Sequence, residues 1–372
     1  MNTVTRSHPA FNEPPSTGAR PRSASETVDV VVIGHTGQVG SALVSRLGRL
    51  DERGDLPALR FAEGINRRSR LIVDQSASPA LQRDPGTLEE LGDRLRARGR
   101  PTVVVDCTAD PDLPALYPGW LEAGIGVVTP NKHGFSADLG LYHRIHRAAR
   151  VGNAPLAYSA TVGAGLPILS SLRRLRRAGA VPARLSAVVS GTLAHVFAQM
   201  ADGQPLSAAV DDARERGFTE PDPLEDLSGS DVARKLVIML REAGLDDIAV
   251  ERQPVVADDW ADQARQGPAV ITALRERDGE WRQRFESARA AGETWAYLAQ
   301  FGPEGASVGP LRLDRRSPFA RLGGSANLVR IELADDPRTP LEVRGPGAGV
   351  AVTAGSVLAD LVEAAGALCG PR

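Results

Sequence analysis

Only two lysines, Lys132 and Lys235, occur in a chain that carries 42 arginines. A surface cation can be either residue, but the two differ in chemistry. A lysine ammonium is a compact charge whose pKa responds to its surroundings and which can give up a proton, whereas a guanidinium stays charged. A lysine kept in so arginine-biased a chain therefore points to proton donation, or to stabilising negative charge on a reacting oxygen. Asp231 stands four residues before Lys235, so on a helix the two share one face. Glu220, Asp222, Glu225, Asp226 and Asp231 put five carboxylates within twelve residues, around Pro221 and Pro223, which are expected to hold the chain extended. An exposed helix ion pair alone contributes only about 0.3–0.5 kcal/mol. The scarcity of lysine, rather than the pair, gives this stretch its interest.

The elements that must position these groups follow from apolar runs and glycine punctuation. Val28–Val32 reads as a buried parallel strand. It runs into Gly34-His35-Thr36-Gly37-Gln38-Val39-Gly40, after which Ser41–Leu50 has helical periodicity. Strand, glycine turn and helix open a dinucleotide-binding fold, with the pyrophosphate expected on the helix N-terminus. Gly34, Thr36, Gly37, Gln38, Val39 and Gly40 are the expected cofactor contacts. A second strand is predicted over Leu59–Asn66. Where an acidic residue commonly meets the ribose, this chain has Asn66-Arg67-Arg68, and Arg67 and Arg68 suit a 2′-phosphate, favouring NADP over NAD. Glu89–Arg98 reads as a helix, Thr102–Cys107 as a strand, Leu116–Ala123 as a helix and Gly126–Thr129 as a short strand that delivers Pro130-Asn131-Lys132 to the carboxyl edge of the sheet. Ligands in open α/β sheets bind at that edge.

Beyond Ala157, Thr161–Pro167 leads into a helix to about Ala178, Leu185–Ser190 is a predicted strand and Ser207–Arg216 a predicted helix. Another helix opens near Asp231. Residues 248–341 alternate short strand-like and helical pieces with weaker signals. Near the end, Gly345–Thr353 is a glycine-rich turn opening a helix through about Ala365. The fold class expected is α/β: a Rossmann-type parallel-sheet nucleotide domain plus an α+β catalytic and dimerisation domain. The expected divisions are a disordered tail at 1–26, nucleotide domain at 27–156, catalytic and dimerisation domain at 157–344, and a C-terminal segment at 345–372 returning to the nucleotide domain.

Composition sets outer bounds. The 372 residues fit two domains, and a net charge of −2 gives no general reason to expect nucleic acid or an anionic membrane as partner. No apolar run is expected to reach the roughly 18–20 residues that span a bilayer. Residues 1–26 lack the apolar core of a secretory signal, and their prolines argue against an amphipathic transit helix. Cys107 and Cys369 form no metal-binding or disulfide pattern, which fits a reducing cytoplasm.

Taken together, DCT at Asp106–Thr108, TPNK at Thr129–Lys132, VGAGLP at Val162–Pro167, SGTL at Ser190–Leu193, GFTEPDP at Gly217–Pro223, DLSGSDVARK at Asp226–Lys235 and GPGAGVAVTA at Gly345–Ala354 resemble homoserine dehydrogenase over roughly Val28 to Ala365. The resemblance implies NAD(P)-dependent interconversion of L-aspartate 4-semialdehyde and L-homoserine, in threonine and methionine biosynthesis, by a homodimer. It implies that Lys235 donates the proton to the aldehyde oxygen, with Lys132 beside the nicotinamide and Asp231 in the catalytic group. Glu220 and Asp231 would hold the substrate amino group, with Gly191, Thr192 and Asp226 in the same pocket. Thr108, Gly217 and Gly347, along with Lys132, would lie close to the cofactor. It also implies a sodium site of backbone carbonyls at Val162, Ala164 and Leu166.

This chain departs from the family pattern in its longer GxxGxxG turn, in Phe218 where Tyr is common, and in Ser159 where an acidic residue is common near the sodium site. A monofunctional form is expected, with neither an aspartokinase segment nor a regulatory ACT domain. The alternatives are a related dehydrogenase for a different amino-acid aldehyde and a non-catalytic nucleotide-binding homologue. A phosphorylating semialdehyde dehydrogenase needs a nucleophilic cysteine, for which neither Cys107 nor Cys369 is well placed.

Overall fold

A computed structural model describes residues 27–50, 58–73, 79–82, 86–265, 270–322 and 326–369. The tail expected at 1–26 lies outside the described residues. The first half of the chain builds a seven-stranded sheet from β1 (Thr27–Ile33), β2 (Ala58–Ile65), β3 (Arg70–Ile72), β4 (Ala80–Gln82), β5 (Thr102–Asp106), β6 (Gly126–Val128) and β7 (Leu156–Ala157). Its order is β4-β3-β2-β1-β5-β6-β7. The five strands from β2 to β7 in that order run parallel, and β3 and β4 are an antiparallel edge. Val28, Val30, Val31 and Val32 are fully buried, as a strand covered on both faces requires. The helices of this half are α1 (Gln38–Leu50), α2 (Leu91–Ala97), α3 (Tyr117–Glu122), α4 (His133–Ser136) and α5 (Leu139–Val151).

The second half contains α6 (Ile168–Arg177), β8 (Pro182–Val188), α7 (Gly191–Ala201), α8 (Leu206–Glu215), α9 (Pro223–Leu227), α10 (Ser230–Glu242), β9 (Val250–Arg252), α11 (Asp258–Arg265), α12 (Val270–Leu274) and α13 (Asp278–Ala290). β10 (Glu293–Gly302), β11 (Gly305–Asp314), β12 (Ala326–Leu333), β13 (Leu341–Pro346) and α14 (Val350–Cys369) follow. Here the sheet is mixed, in the order β13-β12-β8-β10-β11-β9. One apolar cluster joins Val31 and Val104 of the first sheet, through Tyr158 and Leu172, to Leu185 and Ala299 of the second.

Several sequence expectations are corrected. α1 opens at Gln38 rather than Ser41, so Val39 and Gly40 are helical. Gly40 can enter the helix because it has no side chain: a Cβ there would stand 2.2 Å from the Gly34 carbonyl oxygen. The acidic stretch is extended only as far as Asp222. Pro223 instead begins α9, where its missing N–H costs nothing, and the Asp222 carboxylate caps Leu224 N at 3.0 Å. α14 runs on to Cys369, so the 20 residues Val350–Cys369 are, by length and apolarity alone, enough to cross a membrane. In this fold α14 buries Val357, Leu361 and Ala365 with Val28, Val30 and Val103 of the first sheet. Arg46 of α1 ties it down through the Ala351 carbonyl at 2.8 Å.

Part of the arginine excess also has an interior use. Glu63 on β2 is fully buried and paired with Arg70, Arg94 and Arg98 at 2.6, 2.9 and 2.7 Å. A carboxylate removed from water is tolerable only when paired in this way.

Candidate active site

Lys132 leaves the carboxyl end of β6 through a turn fixed from beneath. The Asp106 carboxylate, fully buried at the end of β5, accepts from Tyr117 Oη at 2.5 Å, Asn131 Nδ2 at 3.0 Å and Thr108 N at 2.7 Å. Thr129 Oγ1 donates to the Asp106 carbonyl at 2.9 Å and accepts from Asn131 N at 2.8 Å. Asn131 Oδ1 then accepts His133 N at 3.0 Å, which starts α4 directly after Lys132. Burial pushes the Asp106 carboxyl up, against hydrogen bonds from Tyr117, Thr108 and Asn131 that favour its charge.

Lys235 arrives from the other half of the chain, on α10. This helix begins at Gly229, whose φ of +72° suits glycine, and a Cβ there would strike the Tyr297 hydroxyl. One turn separates Asp231 from Lys235. Asp231 Oδ2 meets Lys235 Nζ at 2.8 Å and Asp231 Oδ1 meets Lys132 Nζ at 3.2 Å, so one carboxylate spans the chain's two lysines. Lys235 Nζ also donates to the Val189 carbonyl at 2.6 Å, just past β8. Two of its three donors are thereby committed, leaving one for a ligand. Burial would push the Asp231 carboxyl up, but the charges of Lys235 and Lys132 outweigh it and hold it well below the usual carboxylate range.

A second acidic group sits nearby. Asp226 Oδ2 accepts Glu220 N at 2.8 Å, and Thr192 lies beside the Asp226 side chain. Burial first, then the charges of Glu220 and Asp231, push the Asp226 carboxyl up to about 6. Negative charge from Glu220 and Asp231 around Asp226 makes a place suited to a cation. Thr192 Oγ1 also donates to the Phe218 carbonyl at 2.5 Å, next to Gly191 at the start of α7. Sequence reasoning missed the buttress behind this loop. His195, about one helix turn further on, pairs with Asp212 at 2.6 Å and sets its ring edge-on to Phe218 at 5.3 Å.

On the nucleotide side, Gly34 lies against Thr108: a Cβ on Gly34 would be 3.1 Å from Thr108 Cγ2. Thr36, Gly37 and Gln38 are exposed at the N-terminus of α1, where backbone N–H groups have no intrahelical partner. The Asn66 amide does not face outward but accepts Arg68 N and Ser69 N at 2.8 and 2.9 Å. Arg67 and Arg68 are exposed and make no ion pair among the described residues. Gly217, with φ +70°, ends α8 in open space. Gly347 packs on the fully buried Asn327, whose amide atoms have no hydrogen-bond partner among the described residues.

Val162 and Ala164 are buried, while the Leu166 carbonyl accepts Ile168 N at 2.8 Å. Ser159 N donates to Asp360 of α14 at 2.8 Å. The Cys107 thiol is pushed up to about 12 by burial and by Asp106, which removes it as a nucleophile near neutral pH.

A family profile described as "Homoserine dehydrogenase" matches residues 167–362, and one described as "Homoserine dehydrogenase, NAD binding domain" matches residues 36–159. A homoserine dehydrogenase of Emericella nidulans is 36% identical over 362 residues, covering 89% of this chain and 96% of that protein. A chloroplastic bifunctional aspartokinase/homoserine dehydrogenase 2 of Zea mays is 40% identical over 275 residues, covering 72% of this chain. The chain spans only 30% of that bifunctional relative's length. A hyperthermophilic archaeal homoserine dehydrogenase mutant in complex with NADPH shares the fold, with a TM-score of 0.71 at 22% identity, covering 91% of this chain and 97% of that one.

The Asp106 network gives a stability prediction. Asp106→Ala would leave the Tyr117 hydroxyl and the Asn131 amide short of a buried acceptor, at about 1–3 kcal/mol for each unsatisfied group. Urea unfolding should show a loss of at least about 2 kcal/mol with an unchanged m-value. A loss below about 0.5 kcal/mol would contradict the network.

Proposed function

Since this chain belongs to the homoserine dehydrogenase family, we propose that it reduces L-aspartate 4-semialdehyde to L-homoserine with a nicotinamide cofactor, through the two lysines held by Asp231. The observation that carries the reading is that one carboxylate gathers the ammonium groups of both lysines. When bound, the nicotinamide supplies a hydride to the aldehyde carbon. Negative charge then builds on the aldehyde oxygen, and an ammonium beside it stabilises that charge. Lys235 is the proton donor. It is 11% exposed and fixed by Val189 and Asp231, so its remaining N–H has a defined direction. Lys132, 29% exposed, keeps more freedom and supports the developing charge from the nicotinamide side. Glu220 holds the substrate ammonium. Both oxygens of Asp231 are engaged by lysines, so its main part is to orient them, and Asp226 with Thr192 sets the loop that presents Glu220.

The cofactor is NADP(H), held by the Gly34–Gly40 turn with Arg67 and Arg68 on the 2′-phosphate, and Thr108, Gly217 and Gly347 near the ring. The fit rests on two guanidiniums beside the β2 end that make no ion pair among the described residues, and a neighbour of the same fold was solved in complex with NADPH. A sodium ion also belongs to the reading. Gly163 and Ala164 hold φ of +69° and +46°, curling the backbone so that the carbonyls of Val162, Ala164 and Leu166 would hold the ion. Asp360, 5% exposed and bonded to Ser159 N, supplies a carboxylate where Ser159 has none. We further take the enzyme to be a cytoplasmic homodimer with a nucleotide domain at 27–156, a catalytic and dimerisation domain at 157–344 and a returning segment at 345–372, serving threonine and methionine synthesis.

Lys235→Ala should lower kcat for aspartate semialdehyde reduction roughly 10²–10⁴-fold, with NADPH affinity unchanged. Turnover within about twofold of the parent would remove its role. Arg67→Ser/Arg68→Ser should raise the KM for NADPH about tenfold or more while leaving that for NADH unchanged. An equal effect on both cofactors would refute the 2′-phosphate assignment.

Asp226 makes both stability and substrate binding depend on pH. Its carboxyl sits at about 6 in the fold, against about 3.9 unfolded. Between those values the folded state binds more protons, so this contribution to stability is complete below pH ~4 and is lost as pH rises through ~6. Asp226→Asn should flatten Tm against pH over that window. For catalysis, protonating Asp226 weakens the cation site, so KM for the amino aldehyde should rise below pH ~6 in the parent but not in Asp226→Asn. Parallel pH profiles for the two proteins would refute this.

A further inference from the structure

A cleft of about 810 Å³ opens away from the two lysines. Part of its wall is Asn153–Leu156, the lead-in to edge strand β7. Because β7 runs parallel to β6, that lead-in lies at the amino ends of the strands, opposite the edge from which Lys132 emerges. The rest of the wall comes from α5, Tyr158 just past β7, α6, the last residue of α10 with Asp246 beyond it, and the end of α14. On α10, Glu242 is seven residues past Lys235, about 10 Å along the axis at 1.5 Å per residue.

Its charges are unbalanced. Arg150, Arg173, Arg176 and Arg177 face Glu242 and Asp246, four guanidiniums against two carboxylates. Glu242, 5% exposed, is already used: it binds Arg173 Nε at 3.1 Å and accepts the Tyr158 hydroxyl. Arg150 and Arg177 make no ion pair among the described residues, and Arg176 bonds only the Arg241 carbonyl, at 3.2 Å. Burial pushes His146 down to about 4, so it adds no charge near neutral pH. Asp246 lines the cleft, and its Oδ1 is buried without a hydrogen-bond partner among the described residues, so a turn of the side chain toward the cleft would let it accept from a ligand. Unspent guanidiniums beside an unspent acceptor match a small polyanion that also carries a hydroxyl or amino group.

The same wall touches both segments that carry the lysines. Tyr158 stacks on Phe135 with ring centroids 3.7 Å apart, and Phe135 N donates to the Lys132 carbonyl at 3.0 Å. From α10, Arg241 donates to the carbonyls of Phe135 and Ala137, both at 2.8 Å. We propose that this cleft is an effector site for a small hydroxylated or aminated polyanion, and that its occupancy shifts α4 and α10 and hence the lysines. The binding claim stands on the cleft alone; the coupling claim rests on the catalytic reading above.

Citrate, with three carboxylates and a hydroxyl, is the probe, and tricarballylate, lacking the hydroxyl, is its control. Calorimetry is run on the full chain saturated with NADP, so that the cofactor site cannot capture the anion. Citrate should bind at millimolar concentration or tighter, more strongly than tricarballylate. Arg176→Ser/Arg177→Ser should weaken it at least tenfold with NADP affinity unchanged, and citrate should alter turnover in the parent but not in the variant. If the double variant does not fold, Arg150→Ser is read in the same way. No binding, or equal binding by parent and variant, overturns the site. Binding that leaves parent turnover unchanged overturns the coupling, and leaves the dehydrogenase reading, tested by Lys235→Ala, untouched.

Discussion

Two ammonium groups do not gather without a counter-charge, and here a single carboxylate supplies it. At an effective dielectric near 20, unit charges 4 Å apart interact by roughly 4 kcal/mol, and water beside the 43%-exposed Asp231 reduces that figure. The remainder still decides geometry, because Lys132 and Lys235 come from different halves of the chain and Asp231 sits between them. The surrounding construction can be understood as bringing this meeting about. Gly229 lets α10 start where Asp231 must stand, the Val189 carbonyl fixes Lys235 from the second sheet, and the Asp106–Asn131–Thr129 network fixes the turn before Lys132.

The two lysines are held differently, and their proposed work divides accordingly. Lys235 is bound twice and mostly enclosed, which favours directed proton donation. Lys132 has one partner and more solvent, which suits a charge that follows the substrate. On the other side of Asp231, Glu220 and Asp226 build negative potential that the Asp231 charge reinforces at Asp226. A substrate with an ammonium at one end and a reacting oxygen at the other is complementary to such a divided field.

Local features were legible in the sequence. The valine run of β1, the glycine turn and the emergence of Lys132 after β6 each depend on neighbours within a few residues, and all are present. The Asp231–Lys235 spacing likewise gave the helix face. Long-range partnerships were not legible. The anchoring role of Asp106 has no local signal, because its partners Tyr117 and Asn131 lie 11 and 25 residues away. That Lys132 shares Asp231 with Lys235 depends on how the two halves pack. The β10–β11 hairpin was obscured because its strands pair through Gly302 and Gly305 without clean apolar alternation. Pro223 was misread because the same fixed φ serves an extended chain and a first helical residue.

The rarity of lysine makes the central interaction directly observable. With ¹⁵N-lysine labelling, the protein has two side-chain Nζ resonances to follow. In Asp231→Asn, both should shift and exchange their protons with water faster than in the parent, because both lose the same anionic partner. A spectrum in which only one resonance responds, or neither does, would contradict the claim that Asp231 holds the two lysines together.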